Sequence, residues 1–175
     1  MCQFKSLIVT RTEIFHDLDV DSHEELIKAH GFNDKTTSPD FVRVEYLPVD
    51  GNIFNHDRQN WKLSVDQDFR PDWFSGKEVA EACWPFVEAT FKARFLSSGR
   101  VEKIEKGRWF LSGTAEVGVL WGNSQVGVLW DCAILCGVYS SAAKWTLKEK
   151  AVAIIRYETP TRIVTAEKGA KLEIV

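Results

Sequence analysis

The sequence has little net charge and contains a single methionine. The low charge and the apolar fraction together limit the class of protein that it can encode. Its 175 residues contain 22 Lys and Arg against 25 Asp and Glu, a net charge of −3. The apolar fraction of 45% is ordinary for a globular protein, which excludes the membrane and disordered classes. A chain of this length buries roughly 70% of its unfolded surface when it folds, enough for one good core or two small ones.

Dense basic segments are also absent, which bears on nucleic-acid binding. The highest local concentration of basic residues, at Lys103, Lys106 and Arg108, is interrupted by Glu102 and Glu105. Attachment to a phosphate backbone through counterion release needs several clustered Lys or Arg side chains. The sequence therefore disfavours general nucleic-acid binding.

The sequence has neither a recognisable signal peptide nor a paired-cysteine motif. Its first ten residues contain one lysine and an apolar run of three residues, so we expect a cytoplasmic protein without a membrane anchor. The four cysteines, Cys2, Cys83, Cys132 and Cys136, form no Cys-x-x-Cys pair. They are typical of reduced, mostly buried thiols, and the sequence predicts neither a metal site nor a cofactor.

Aromatic residues are abundant, since 7 Trp, 11 Phe and 3 Tyr favour a stiff, β-rich interior. We predict the α+β class, with a compact α+β region over residues 1–99. Apolar alternation and capping boxes define its elements: strands at 4–9, 13–15, 41–47 and 61–66, and helices over 22–31 and from 75 to about 96. Pro85 lies inside the second helix, where the loss of a backbone donor is expected to kink or split it.

The second part of the chain, residues 100–175, contains a nine-residue period. Residues 117–121 read Val-Gly-Val-Leu-Trp, residues 126–130 repeat them, and the next register ends on Tyr139. Each unit has the length of one short strand and a turn, so two units make one coil of a two-sheeted β-solenoid. We favour the solenoid, although an antiparallel meander would use the same residues. The two parts can also form one continuous domain.

The strongest catalytic candidate is Cys2. A cysteine exposed by removal of the initiator methionine can act as a nucleophile, with its own α-amine as the base and with His23 or Arg11 assisting. The four residues Met1-Cys2-Gln3-Phe4 resemble the start of class II glutamine amidotransferases and of proteins that crosslink abasic DNA. That resemblance implies an N-terminal-Cys hydrolase or transferase. The glycine-rich continuation of those families is absent.

A row of three aspartates before the first helix partly matches a calcium-binding loop. Asp17, Asp19 and Asp21 match the first ligands of a calcium loop, but Ser22 and Lys28 stand where that loop needs Gly and Glu. An EF-hand is therefore excluded, and a solvated helix start explains the acids.

The aromatic row Trp121, Trp130 and Tyr139 is the candidate binding surface. These three residues recur in the nine-residue register. They form either an exposed platform for stacking bases or sugar rings, or they fill the solenoid interior or the seam against the helix that contains Trp84. The second interpretation avoids an exposed tryptophan ladder, which is an aggregation hazard.

Several motifs together resemble a group of uncharacterised phage and bacterial proteins. They are Cys2-x-Phe4-Lys5-Ser6-x-Ile8-Val9, Asp21-Ser-His-Glu24, Phe41-Val-Arg-Val-Glu45, Trp73-Phe74 and the nine-residue units. The resemblance implies an α+β part followed by a solenoid of variable length, a trait of binding or assembly scaffolds. We therefore expect a non-enzymatic accessory protein, in the host cytoplasm if phage-encoded. It binds a protein or small-molecule partner or assembles into a homo-oligomer, and the Cys2 enzyme is the alternative.

Overall fold

The computed structural model describes residues 4–34, 39–122, 124–136, 138–140, 144–155, 163–167 and 169–174. The chain forms two compact units, Met1–Ala93 and Arg94–Val175. Within the described residues there are two α-helices, one short 3-10 helix and three sheets, none of which closes into a barrel. The predicted α+β class is confirmed.

The first unit contains an antiparallel sheet of four strands. They are β1 (Lys5–Thr10), β2 (Ile14–Phe15), β3 (Phe41–Pro48) and β4 (Trp61–Val65), in the order β2-β1-β3-β4. Lys5–Val9 of β1 are buried on both faces of the sheet. A strand covered on both sides is apolar at successive positions, which explains the run Leu7-Ile8-Val9.

Helix α1 (His23–His30) begins and ends as the sequence predicts. The Ser22 hydroxyl accepts a hydrogen bond from the Glu25 amide, and Gly31, at φ 69°, donates its amide to carbonyls of the last turn. Such caps satisfy backbone groups that a helix leaves unpaired at its ends. The apolar side of α1, Leu26 and Ile27, packs with Ile8 of β1.

Helix α2 (Gly76–Arg94) departs from the expected outline. It continues through Pro85 as one 19-residue helix, so the predicted split does not occur. Cys83, Trp84 and Val87 are buried on either side of the proline, and their packing supports the helix across the missing backbone donor. The helix ends at Arg94, because the next residues, Phe95 and Leu96, form a strand that pairs with Phe110 and Leu111.

Tyr46 links β3 to α2 and supplies a test of this packing. Its hydroxyl donates to the Ala80 carbonyl at 2.5 Å, and burial raises the pKa of Tyr46 from 10.0 to about 12. The unfolded chain loses this proton above pH 10, whereas the folded chain keeps it until about pH 12. The stability that Tyr46 contributes is therefore complete below pH 10 and is lost as the pH rises through 12.

We expect Tyr46→Phe to lower the free energy of unfolding by about 1 kcal/mol at pH 8, since it leaves the Ala80 carbonyl without this donor. The difference from the wild type should shrink at pH 11, where ionisation of the unfolded wild-type chain offsets the lost hydrogen bond. Urea denaturation at the two pH values measures both quantities. A difference that stays the same at pH 8 and pH 11 would contradict the proposed titration.

The second unit consists of short strands in two sheets. They are β5 (Phe95–Leu96), β6 (Arg100–Ile104), β7 (Arg108–Leu111), β8 (Glu116–Gly122), β9 (Gln125–Leu129), β10 (Ile134–Leu135), β11 (Val138–Ser140), β12 (Lys144–Leu147), β13 (Val152–Ile155), β14 (Ile163–Ala166) and β15 (Lys171–Ile174). One sheet has the order β11-β8-β10-β13-β15, with β6 also paired to β8, and the other has the order β14-β12-β9-β7-β5. The pairings described in both sheets are parallel.

The strand register relates residues about eighteen positions apart. Glu116 pairs with Ile134, and Ile134 pairs with Val152. In the other sheet Val128 pairs with Thr146. Consecutive nine-residue units therefore lie in alternate sheets, and a residue finds its spatial equivalent two units along the chain.

The core of the second unit repeats at the same interval. Leu111, Leu129 and Leu147 lie eighteen residues apart and are fully buried, as are Ala115, Ala133 and Ala151. Each alanine ends a turn in which its amide donates to the carbonyl three residues earlier, at 3.1–3.2 Å. The second residue of each turn has a left-handed backbone: Gly113 at φ 58°, Asp131 at φ 57° and Glu149 at φ 55°. The turns therefore end on small side chains that lie inside the core of the unit.

Steric hindrance explains why a glycine occupies the second position of the Val-Gly-Val-Leu-Trp unit at residues 117–121. A Cβ atom placed on Gly118 would lie 2.6 Å from the Glu102 carbonyl oxygen of the neighbouring strand β6. Real Cβ atoms do not approach a backbone oxygen so closely, and a main-chain atom of a paired strand cannot easily move aside. The glycine is therefore required by the strand packing.

Candidate functional site

A cavity of about 400 Å³ lies in the first unit, between the β1–β2 hairpin and the first half of α2. Its lining combines charged, hydroxyl and aromatic side chains, chiefly Arg11, Glu13, Trp73, Ser75, Glu78 and Phe86. Val79 and Ala82 supply apolar surface from the helix. Aromatic walls with a few polar groups are characteristic of small-molecule sites.

The hairpin wall of this cavity is held by Thr10. The Thr10 amide and hydroxyl both donate to the Glu13 carbonyl, at 2.8 and 3.1 Å, and the Glu13 amide donates back to the hydroxyl at 3.0 Å. Three bonds across four residues fix a tight turn. The turn places Arg11 at its exposed tip. Only the main-chain groups of Glu13 take part in these three bonds, and its carboxylate side chain is exposed.

The helical wall begins at Ser75. Its hydroxyl accepts from the Glu78 amide at 3.5 Å and its carbonyl accepts from the Val79 amide at 2.9 Å. This is the N-terminal cap that the sequence predicts for the second helix. It sets Glu78 and Val79 in the first turn, with Ala82 one turn further along the same helix side.

Phe86 forms an apolar wall of the cavity, backed by a histidine. The rings of Phe86 and His16 lie 4.3 Å apart between centroids. Nδ1 of His16 is buried and has no hydrogen-bond partner among the described residues. Burial, followed by the charge of Lys5, holds the pKa of His16 below its usual 6.5. The imidazole is therefore uncharged near neutral pH, and this wall stays apolar.

The charges around the cavity are unpaired. Within the described part of the chain, Arg11, Glu13 and Glu78 make no side-chain ion pair or hydrogen bond, and all three are exposed. Elsewhere on α2, Glu81 pairs with Arg58 at 2.6 Å. The cavity rim thus offers one guanidinium and two carboxylates that are available to a ligand.

The predicted catalytic residues fall in different places. Cys2 lies outside the described residues. Arg11 lines the cavity, whereas His23 is 4% exposed and bonded through both ring nitrogens. His23 contacts Val44, which lies opposite Leu7 in the sheet. Arg11 is four residues further along the chain than Leu7, a distance of about 13 Å at the rise of a strand. The structure does not bring His23 and Arg11 together.

His23 joins three elements of the first unit. Its Nε2 donates to the Val44 carbonyl at 2.9 Å, and its Nδ1 lies 3.1 Å from an Asp66 carboxylate oxygen just after β4. These contacts attach the start of α1 to β3 and β4. An imidazole with both nitrogens bonded in this way positions secondary structure.

The acidic segment before α1 has structural partners. The Ser6 amide and hydroxyl donate to Asp21 Oδ1 at 3.0 and 3.1 Å, and the buried Lys5 ammonium donates to the Asp17 carbonyl. The Asp19 amide donates to Asp17 Oδ1 at 2.7 Å. Among the described residues, no group of three or more His, Cys, Asp or Glu side chains is arranged to hold a metal ion.

The predicted aromatic row is divided between two sheets. Trp121 and Tyr139 are register partners on β8 and β11, whereas Trp130 follows β9 in the other sheet. Trp121 is 49% exposed, with the Lys103 ammonium 5.5 Å from its ring centroid. Trp130 is half-buried beneath Lys148, at 5.6 Å. The nine-residue spacing placed these residues in one row, but their spatial period is eighteen.

Glu13 and Phe86 belong to no motif in the sequence, and Trp73 and Glu78 belong to motifs that did not mark them as cavity residues. The hairpin turn and the capping box at Ser75 were visible, but nothing in the sequence indicated that they face each other. No family model, curated protein or solved structure matches the chain. Neither helix in the described part of the chain is long and apolar enough to span a membrane.

Proposed function

We propose that the protein is a non-enzymatic accessory protein, of phage or prophage type, whose first unit binds a small molecule. The observation that carries this proposal is the hairpin cavity, with aromatic walls and unpaired charges. Its volume of about 400 Å³ suits one small ligand, because ligand sites in proteins range from roughly 300 to 1,000 Å³.

The lining favours binding over catalysis. None of the described residues that line the cavity is a cysteine or a histidine. Two of its hydroxyl groups already have structural partners, because Thr10 donates to a carbonyl and Ser75 caps α2. Nucleophilic catalysis needs an activated nucleophile, most often a cysteine, serine or threonine beside a base. The aromatic walls and the exposed charges support ligand binding more directly than catalysis.

We further propose that the second unit is a two-sheeted β-solenoid that serves as a scaffold and can assemble. Parallel pairing, alternation between two sheets and the eighteen-residue spacing of Leu111, Leu129 and Leu147 support this architecture. Near-identical units stack like on like, so each added coil continues the same rows of buried residues.

The binding proposal is tested by filling the cavity from its exposed side. Ala82 lines the cavity from an exposed helix position, so Ala82→Trp adds bulk there at little cost to the core. We expect a ligand-observed NMR screen of a fragment library to find compounds that bind the wild type with millimolar affinity. Binding of these compounds should fall at least about tenfold in Ala82→Trp.

The matched control is Lys92→Trp, an exposed position on the same helix outside the cavity lining. It should bind the fragments as the wild type does, while far-UV circular dichroism verifies that both variants are folded. The proposal fails if no fragment binds the wild type, or if Ala82→Trp and Lys92→Trp bind them equally.

A further inference from the structure

The unpaired charges of the cavity specify a ligand class. Resting on the binding function proposed above, we propose that the cavity binds a small zwitterion with an apolar side group, the chemistry of a free amino acid with an aromatic or aliphatic side chain. The inference stands on three features of the lining: one guanidinium, two carboxylates and two aromatic rings.

The guanidinium of Arg11 is the partner for the ligand's carboxylate. Arg11 is the only cationic side chain of the described lining, and its backbone lies at the tip of the turn that Thr10 closes. A guanidinium matches the planar geometry of a carboxylate and can donate two parallel hydrogen bonds to it.

The carboxylates of Glu13 and Glu78 are the partners for the ligand's ammonium group. They belong to different walls of the cavity, Glu13 to the hairpin and Glu78 to the first turn of α2. An ammonium group has three donors and can serve both carboxylates at once. With two acidic groups against one basic group, a ligand that carried only a carboxylate would leave the acidic pair without a counter-charge.

Trp73 and Phe86 are the partners for the ligand's apolar group. Val79 is buried beside them, and the uncharged His16 ring lies behind Phe86. Large aromatic surfaces contribute most of the area that a small ligand buries. Glycine, which has the two charges without a side chain, should therefore bind poorly.

Four probes that differ by one group each test this class. L-Phenylalanine has both charges and a ring, 2-phenylethylamine lacks the carboxylate, 3-phenylpropanoate lacks the ammonium group, and glycine lacks the ring. Dissociation constants come from amide chemical-shift titrations of the isotope-labelled full chain. We expect phenylalanine to bind about fivefold tighter than either singly charged probe, the value of an exposed ion pair, and at least about tenfold tighter than glycine.

Charge-removing variants assign each group to its partner. In Arg11→Gln the advantage of phenylalanine over 2-phenylethylamine should disappear, and in Glu13→Gln or Glu78→Gln its advantage over 3-phenylpropanoate should shrink. Lys77→Gln and Glu88→Gln change exposed charges of α2 outside the lining and should leave all four constants unchanged.

The possible failures are distinguishable. If phenylalanine binds no better than the singly charged probes, or if its advantage survives in the three cavity variants, the zwitterion class is wrong while the binding function stands. If none of the four probes saturates but fragments still distinguish Ala82→Trp from Lys92→Trp, the class is again wrong. If neither experiment detects binding, both the class and the proposed function are overturned.

Discussion

Gly113→Ala is expected to lower the free energy of unfolding of the second unit by about 3 kcal/mol or more. Gly113 has a left-handed backbone, and a Cβ atom there would lie 2.3 Å from the Ser97 carbonyl oxygen. The left-handed conformation alone costs an L-residue roughly 1–2 kcal/mol. The contact with a main-chain oxygen adds to this cost, because the Ser97 carbonyl also accepts from the Thr114 amide and is held in place.

Gly99→Ala is the matched control for this prediction. Gly99 belongs to the same unit and has φ 79°, but no atom lies within 4 Å of the Cβ position. It should lose only the cost of the left-handed conformation, about 1 kcal/mol. Denaturant titrations followed by circular dichroism give both values. Equal losses in the two variants would show that the predicted close contact at Ser97 has no energetic effect.

The second prediction is that the melting temperature depends on the length of a segment duplicated in the second unit. Duplicating residues 116–133 adds eighteen residues, or one coil of the proposed solenoid. We expect this variant to unfold cooperatively at a temperature equal to or above that of the wild type. The added coil should continue the rows of buried Leu111, Leu129 and Leu147 and of the turn alanines, and so preserve every neighbour relation beyond the insertion.

Duplicating residues 116–124 adds nine residues and should behave differently. Every strand after the insertion would move to the opposite sheet, which removes Leu129 from the row of Leu111 and Ala133 from the row of Ala115. We expect the melting temperature to fall by about 10 °C or more, since losses of a few kcal/mol have this effect in a unit of such size. Equal melting temperatures for the two duplications would refute the eighteen-residue architecture.

Local signals predicted much of the first unit. The serine caps of both helices, the left-handed Gly31 and the strands around Val9, Val44 and Trp61 follow from backbone chemistry and apolar spacing, and the structure confirms them. The split predicted at Pro85 does not occur, because packing on both sides of it outweighs the local cost of a missing donor. Tertiary contacts of this kind are not visible in a residue's own propensity.

The nine-residue repetition of Val-Gly-Val-Leu-Trp was visible in the sequence, and we expected two units to form one coil. The sequence left open whether the units pair as a solenoid or as an antiparallel meander, and the pairings described in the structure are parallel. Asp131 and Glu149 occupy the turn position of Gly113 at successive eighteen-residue intervals, and neither residue type signals a left-handed backbone reliably. The alanines that follow at 133 and 151 are the better signal, because both are fully buried.

Only part of the candidate site was accessible from the sequence. Arg11 was singled out to assist Cys2, which lies outside the described residues, and the structure places Arg11 on a cavity wall. Its partners there, Trp73 and Glu78, lie more than sixty positions along the chain. Such a juxtaposition depends on how α2 packs against the hairpin, and no pattern in one sequence encodes that distance.

The parallel ladders have a consequence for how each unit folds. In the first unit β1 pairs with β3, and Lys5 lies opposite Tyr46. The entropy cost of closing this long loop comes before the strand contacts can stabilise the chain. In the second unit the described strands pair with strands about eighteen residues away, as Ile134 does with Glu116 and Val152, so each loop that closes there is shorter. For the proposed solenoid this means that ordered structure can spread from a few paired strands, one coil at a time.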